Sequence, residues 1–135
     1  MTTDELTFLA MTTKYSDEEI HDVTVDLEMR EWMLEKVDIE GKVLEPQIKG
    51  KLRMRSIRKY QDLLNDLDFL SWPLLDESPT TTFPTNIKNS VVLYSFDEEE
   101  EYYTTGRSDD DLRQLHKATE NLIGQTYGSY AYYDK

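Results

Sequence analysis

Val23, Val25, Leu27 and Met29 fall at every second position and alternate with Asp22, Thr24, Asp26, Glu28 and Arg30. A helix repeats about every 3.6 residues and scatters such a pattern around its axis, whereas a strand turns successive side chains to opposite faces. The segment from His21 therefore predicts a half-buried strand, one face dry and the other wet. Trp32, Leu34 and the Val37/Ile39 pair continue it beyond a bulge expected near Glu31. After a turn at Glu40-Gly41-Lys42, Ile48, Gly50, Leu52, Met54 and Ser56 alternate with Lys49, Lys51, Arg53 and Arg55. Two antiparallel strands are expected, joined by a turn or by a longer connection through Pro46.

The second alternation carries an unusual charge. Lys49, Lys51, Arg53, Arg55, Arg58 and Lys59 form a basic island with no acid between Gln47 and Gln61, in a chain of formal net charge −13. The remainder holds −19, so the surface must be strongly polarised, and this bears on partners and encounter rates rather than on fold. If Leu52 and Met54 face the core, the four cations of the strand share a solvent face. Asp22, Asp26 and Glu28 of the preceding strand are then expected to pair with them.

Ser56 reads as an N-cap for an amphipathic helix over 57–68, with Ile57, Tyr60, Leu64 and Leu67 on its buried stripe. Phe69, Leu70, Trp72, Leu74 and Leu75 follow as an apolar patch. Pro73, Pro79, Pro84 and Thr80-Thr81-Thr82 predict a loop from 73 to 88. Val91–Phe96 reads as a strand, and Asp97–Glu101 as an acidic hairpin tip that returns through Tyr102-Tyr103-Thr104-Thr105. Ser108 then caps a helix over 109–123 with Asp109, Asp110 and Asp111 in its first turn and Gly124 as its C-terminal stop. Residues 1–21 are ambiguous: Thr2-Thr3-Asp4-Glu5 has capping-box spacing for a short helix, and the Thr-rich stretch that follows suits a strand equally. Residues 125–135, with Tyr127, Tyr130, Tyr132 and Tyr133, form either an edge strand or a tail. The expected fold is a single α+β domain spanning 1–135, an antiparallel sheet of four or five strands with two main helices on one face.

No catalytic constellation is apparent. The chain has no cysteine, which excludes disulfides, thiolate metal sites and cysteine nucleophiles and is compatible with a reducing compartment. There is no signal-peptide pattern and no apolar span of membrane length. Five glycines fall in no phosphate-binding or nucleophile-elbow motif. Glu18 and His21 have a metal-ligand spacing once, where a carboxylate-bridged site needs it twice, so a solvated histidine is expected. His116 is expected to be structural and partly buried. The aspartate triplet is accounted for by its helix start. No cofactor and no metal are expected, and carboxylate or metal chemistry is the weakest reading.

The expected function is non-enzymatic: a small acidic inhibitor-type protein, of the immunity, antitoxin or anti-defence kind, that binds a basic protein partner. Nucleases and other nucleic-acid-handling proteins have basic clefts, so nucleic-acid mimicry is one form of it. Asp97, Glu98, Glu99, Glu100, Glu101, Tyr102, Tyr103, Asp109 and Asp110 are the expected contact residues. The competing expectation is a homodimer that pairs the 49–59 island with acidic surface. Binding to membrane or to nucleic acid in general is not expected of so acidic a chain, and a cytoplasmic location is.

Overall fold

The structure, a computed structural model, describes residues 2–16, 18–75, 90–97 and 100–125. A 3-10 turn at Thr3–Glu5 leads into β1 (Phe8–Ser16), β2 (Glu19–Asp26), β3 (Glu31–Val37) and β4 (Val43–Lys51). Helix α1 (Met54–Asp66) and a short 3-10 turn at Phe69–Ser71 come next, then β5 (Ser90–Phe96), β6 (Glu100–Thr104) and α2 (Asp109–Ile123). The strands form one antiparallel sheet in the order β4-β3-β2-β1-β5-β6. The α+β class is as expected, with six strands rather than four or five.

Both extra strands come from misread boundaries. The ambiguous N-terminal stretch supplies β1, which pairs with β2 on one side and β5 on the other. The capping box at Thr2 and Glu5 is real but closes only the 3-10 turn before it. The stretch from Asp22 to Ile39 is two strands and not one bulged strand. A turn between Asp26 and Glu31 separates them, with Arg30 at φ 58° and the Asp26 Oδ1 accepting from the N–H groups of Glu28 and Met29 at 3.1 and 2.8 Å. An aspartate that accepts from backbone N–H groups two and three residues on stabilises such a turn locally, which strand periodicity does not reveal.

One sheet face carries both helices. Leu9 and Met11 of β1, Val23 and Val25 of β2, Trp32 and Leu34 of β3, and Val92, Tyr94 and Phe96 of β5 are buried there. Helix α1 contributes Ile57, Tyr60 and Leu64, and α2 contributes Leu112, Leu115, Ala118 and Ile123. The two helices meet at the Tyr60 hydroxyl, 2.9 Å from the Thr119 Oγ1. The Thr119 hydroxyl itself donates to the Leu115 carbonyl at 2.8 Å, which leaves Tyr60 as the donor of the pair. Phe69 packs on Trp72 and Tyr94 with ring centroids 5.0 and 4.8 Å away, closing the other end of the core.

The helix starts also differ in how well the sequence marks them. Ser108 accepts the Asp111 N–H, and Gly124 ends α2 in the left-handed region at φ 69°, both as expected. Helix α1 begins at Met54 rather than after Ser56, its N-cap is Arg53, and that side chain makes no capping bond. Met54 is therefore an exposed first-turn residue and not a core strand position, although Leu52 is buried. Arg53 and Arg55 likewise lie on the start of α1 and not on a strand face. The lysines of β4 meet β3, so the expected pairing with Asp22, Asp26 and Glu28 gives way to Lys51–Glu31, with Lys36–Glu45 at 3.3 Å.

Gly50 is the sterically constrained position in this sheet. It pairs with Trp32, and a Cβ placed on it would come within 2.3 Å of the Trp32 Nε1. The indole lies over the space that a side chain needs, an aromatic covering an edge-strand glycine. Gly50→Val should destabilise the fold by about 1–3 kcal/mol and expel the indole. The checks are a lower denaturation midpoint and a red-shifted tryptophan emission; an unchanged midpoint would contradict the packing.

Candidate functional site

Among the described residues, no helix packs on the opposite face of the sheet, and the strand register lays its side chains out in rows. At one end the row runs Lys51, Glu31, Asp26, Phe8, Ser95, Glu101 from β4 to β6. The next reads Lys49, Met33, Thr24, Ala10, Leu93, Tyr103. A third carries Glu35, Asp22, Thr12 and Val91. Phe8, Ala10, Met33, Leu93 and Tyr103 are half-buried, so an apolar strip crosses the face without being sealed. Asp22, Asp26, Glu31, Glu35 and Glu101 project around it, against Lys49 and Lys51 at the β4 edge and the buried Lys14.

Two hollows follow the first row. One of about 470 Å³ is lined by Phe8, Thr24, Asp26, Glu31, Trp32, Met33, Lys49, Gly50 and Lys51. The other, about 220 Å³, is lined by Thr7, Phe8, Asp26, Glu28, Ser95 and Glu101. They share Phe8 and Asp26 and so adjoin, forming a trough with Phe8 and Asp26 at its middle and carboxylates along it. The carboxylates in it differ in their engagements. Asp26 holds the β2–β3 turn, and Glu31 is held in its ionised form first by the hydrogen bond from Lys51 and then by that charge. Burial raises the Asp22 pKa, an effect partly offset by its hydrogen bond from Thr12 and reinforced by Glu35. Glu101 accepts from the Tyr103 hydroxyl at 2.6 Å and is otherwise exposed.

The expected contact residues divide between the two faces. Tyr103 and Glu101 sit on the open face, beside Leu93 and Ser95. Tyr102 and Glu100 turn the other way. The Tyr102 ring stacks on Tyr94 at 5.4 Å, and its hydroxyl donates to Glu100, which raises the phenol pKa. Asp97 is exposed at the end of β5, its N–H donating to the Thr7 Oγ1 at 3.1 Å. Glu98 and Glu99 lie outside the described residues, as do the Tyr-rich 126–135 segment and most of the expected 73–88 loop. Asp109 and Asp110 follow the far end of β6, away from the tip, and Asp110 is held by Arg113 and by Gln114 at 2.6 Å. Asp111, the third of the triplet, is buried and bonded to Arg107 at 2.9 Å. Phe8, Met33, Ala10 and Leu93 were not expected at a site. For Phe8 and Ala10 the signal was the absence of alternation in Phe8-Leu9-Ala10-Met11, which marks a central strand apolar on both faces.

The histidines stand apart from the trough. His21 is buried on the helix-bearing face of β2, paired in register with Thr13, and contacts Glu19 at 3.0 Å; it is not the solvated residue expected. His116 is fully buried on α2, its Nε2 3.2 Å from the Thr13 Oγ1. Burial, reinforced by His21, pushes its pKa down to about 3. No group of three or more His, Cys, Asp or Glu among the described residues is arranged to hold a metal ion. No described helix is long and apolar enough to cross a membrane. Comparison with protein-family models, with curated proteins and with solved structures gave no match.

His116 makes stability depend on pH with a definite sign. Its folded pKa lies below the unfolded value, so below about pH 6.5 the unfolded chain binds the extra proton and stability falls as pH drops toward 3. Asp22, raised in the fold, acts oppositely at the acidic end. Urea denaturation of wild type and His116→Gln from pH 7 to 4 should show a shallower loss for the variant, by a few kcal/mol at most across the range. Parallel curves would contradict a neutral buried His116.

Proposed function

We propose that this chain is a non-enzymatic binding protein that docks a basic protein partner on the acid-bordered face of its sheet, opposite the two helices. The observation that carries this reading is the first two rows of that face: Phe8, Ala10, Met33, Leu93 and Tyr103 together, beside Asp26, Glu31 and Glu101, with Glu28 in the adjoining hollow and Lys49 and Lys51 at the β4 end. Apolar and aromatic groups at the centre with charges at the rim is the usual anatomy of a protein interface. The rim charges steer a basic partner and speed the encounter. Ordered carboxylate rows on a rigid sheet also suit the cleft of a nuclease or another nucleic-acid-handling protein, which makes inhibition by mimicry the favoured form of the reading. The same reading puts the protein in the cytoplasm, on the strength of a cysteine-free, acidic chain.

Against an enzyme stands the chemistry of the trough. Its side chains are carboxylates, lysines, the hydroxyls of Thr7, Thr24 and Ser95, and apolar groups, while both described histidines are buried beneath the other face. Of its acids, Asp26 and Glu31 already have structural partners.

Capture from the source lysate at low salt, followed by salt elution, should recover a basic protein in stoichiometric amount. Glu28→Gln/Glu101→Gln should weaken its binding by about tenfold at low salt and less at high salt. Asp109→Asn/Asp110→Asn, at the far end of β6, should leave it unchanged. Equal binding by the first variant, or loss with the second alone, would move the interface off this face.

A further inference from the structure

The two edges of the sheet are not equivalent. At β6, Leu74 bridges to Thr104 and the Leu75 N–H donates to the Tyr103 carbonyl at 2.9 Å, so that edge already has a neighbour. At β4, no described strand pairs on the outer side. The Leu52 N–H donates back to the Arg30 carbonyl at 2.8 Å, which sets the alternation along the strand. Leu52, Gly50 and Ile48 point their backbone groups at β3, while those of Lys49 and Lys51 point outward. Val43, Leu44 and Ile48 are 54%, 45% and 43% exposed along it, and Met54 lies 46% exposed just beyond.

Exposed edges are normally blunted by lysines, proline and irregular pairing. Pro46 and the register shifts opposite Leu34–Val37 blunt the first half of β4. The half from Ile48 to Lys51 is regular, and it runs into Arg53, Arg55, Arg58 and Lys59, all exposed at the start of α1. Among the described residues these four make no ion pair, and the first turn of α1 has neither an acid nor a side-chain cap. Cations at a helix start oppose its dipole, and edge protection does not need them there.

We propose that the β4 edge receives an extended acidic segment of a second protein by strand addition, its backbone pairing with Lys49 and Lys51 and its carboxylates meeting Arg53, Arg55, Arg58 and Lys59. Backbone hydrogen bonds supply affinity in this mode and side chains supply selectivity. A second copy fits less well. Pairing β4 with β4 brings two cationic clusters together, and β6 is already bordered by Leu74 and Leu75. Single-stranded nucleic acid lacks a stacking platform here, since Tyr60 within this stretch is 1% exposed and Trp32 beside Gly50 is 7% exposed.

The test is fluorescence anisotropy of the full chain with three labelled probes: a short peptide alternating Val and Glu, one alternating Val and Lys, and a single-stranded RNA. The Val-Glu peptide should bind at low salt and the others should not. Lys49→Ala should weaken it only slightly, while Lys49→Pro, which also removes an outward N–H, should weaken it by about tenfold or more. Arg55→Glu/Arg58→Glu, two exposed helix positions that do not touch the edge, should do the same and keeps the test open if the proline variant unfolds. No binding of the Val-Glu peptide, equal affinity of the proline and alanine variants, or preference for the RNA would overturn the proposal. So would a dimer in sedimentation that Lys49→Pro dissolves. Arg55→Glu/Arg58→Glu lies on α1, off the open face, and leaves capture of the basic partner there unchanged, so the two interfaces fail or stand separately.

Discussion

Everything in this fold depends on β1 lying between β2 and β5. It is the strand on which the β1–β4 meander and the β5–β6 hairpin both pair, so without it the sheet divides into two pieces. Leu9 and Met11 are completely buried on its helix side, and Thr119 of α2 sits 3.5 Å from the Met11 sulfur. The same hydroxyl receives Tyr60 of α1, so one central strand organises the sheet and anchors both helices. With both helices committed to one side, Phe8 and Ala10 on the other are left under no described helix.

How much of this was legible in the sequence depends on how local each signal is. Helix α2 was readable to the residue, because Ser108, the aspartates and Gly124 act within one turn of where they stand. Strand alternation at Val23–Leu27 was equally plain. β1 was not, because a strand with neighbours on both sides and partial cover on both faces loses its alternation. The break of Asp22–Ile39 into two strands hung on the Asp26 carboxylate holding a turn, a hydrogen bond that periodicity cannot register. Of the expected contact residues, Glu101 and Tyr103 share the open face, whereas Tyr102 packs under Tyr94 and Asp109 belongs to the far end of β6. A linear acidic run says nothing about which face each residue takes; strand alternation decides that.

Polarised charge acquires a location from the same topology. The acidic and apolar rows lie on the open face, and the basic island wraps from the β4 edge onto the first turns of α1. Lys51 links the two regions through Glu31. The remaining cations make few demands on the fold, and several oppose the helix they sit on. Their placement is easier to account for by a partner than by stability.

We propose the sheet face opposite the helices as the docking surface. Methyl NMR of the chain, titrated with the basic protein recovered by low-salt capture, reads that face directly, because Ala10, Met33 and Leu93 carry methyl groups on it. These three should shift or broaden while Met54 and Leu74, exposed off that face, stay in place. Perturbation confined to the latter group, or no basic protein recovered at low salt, would contradict it.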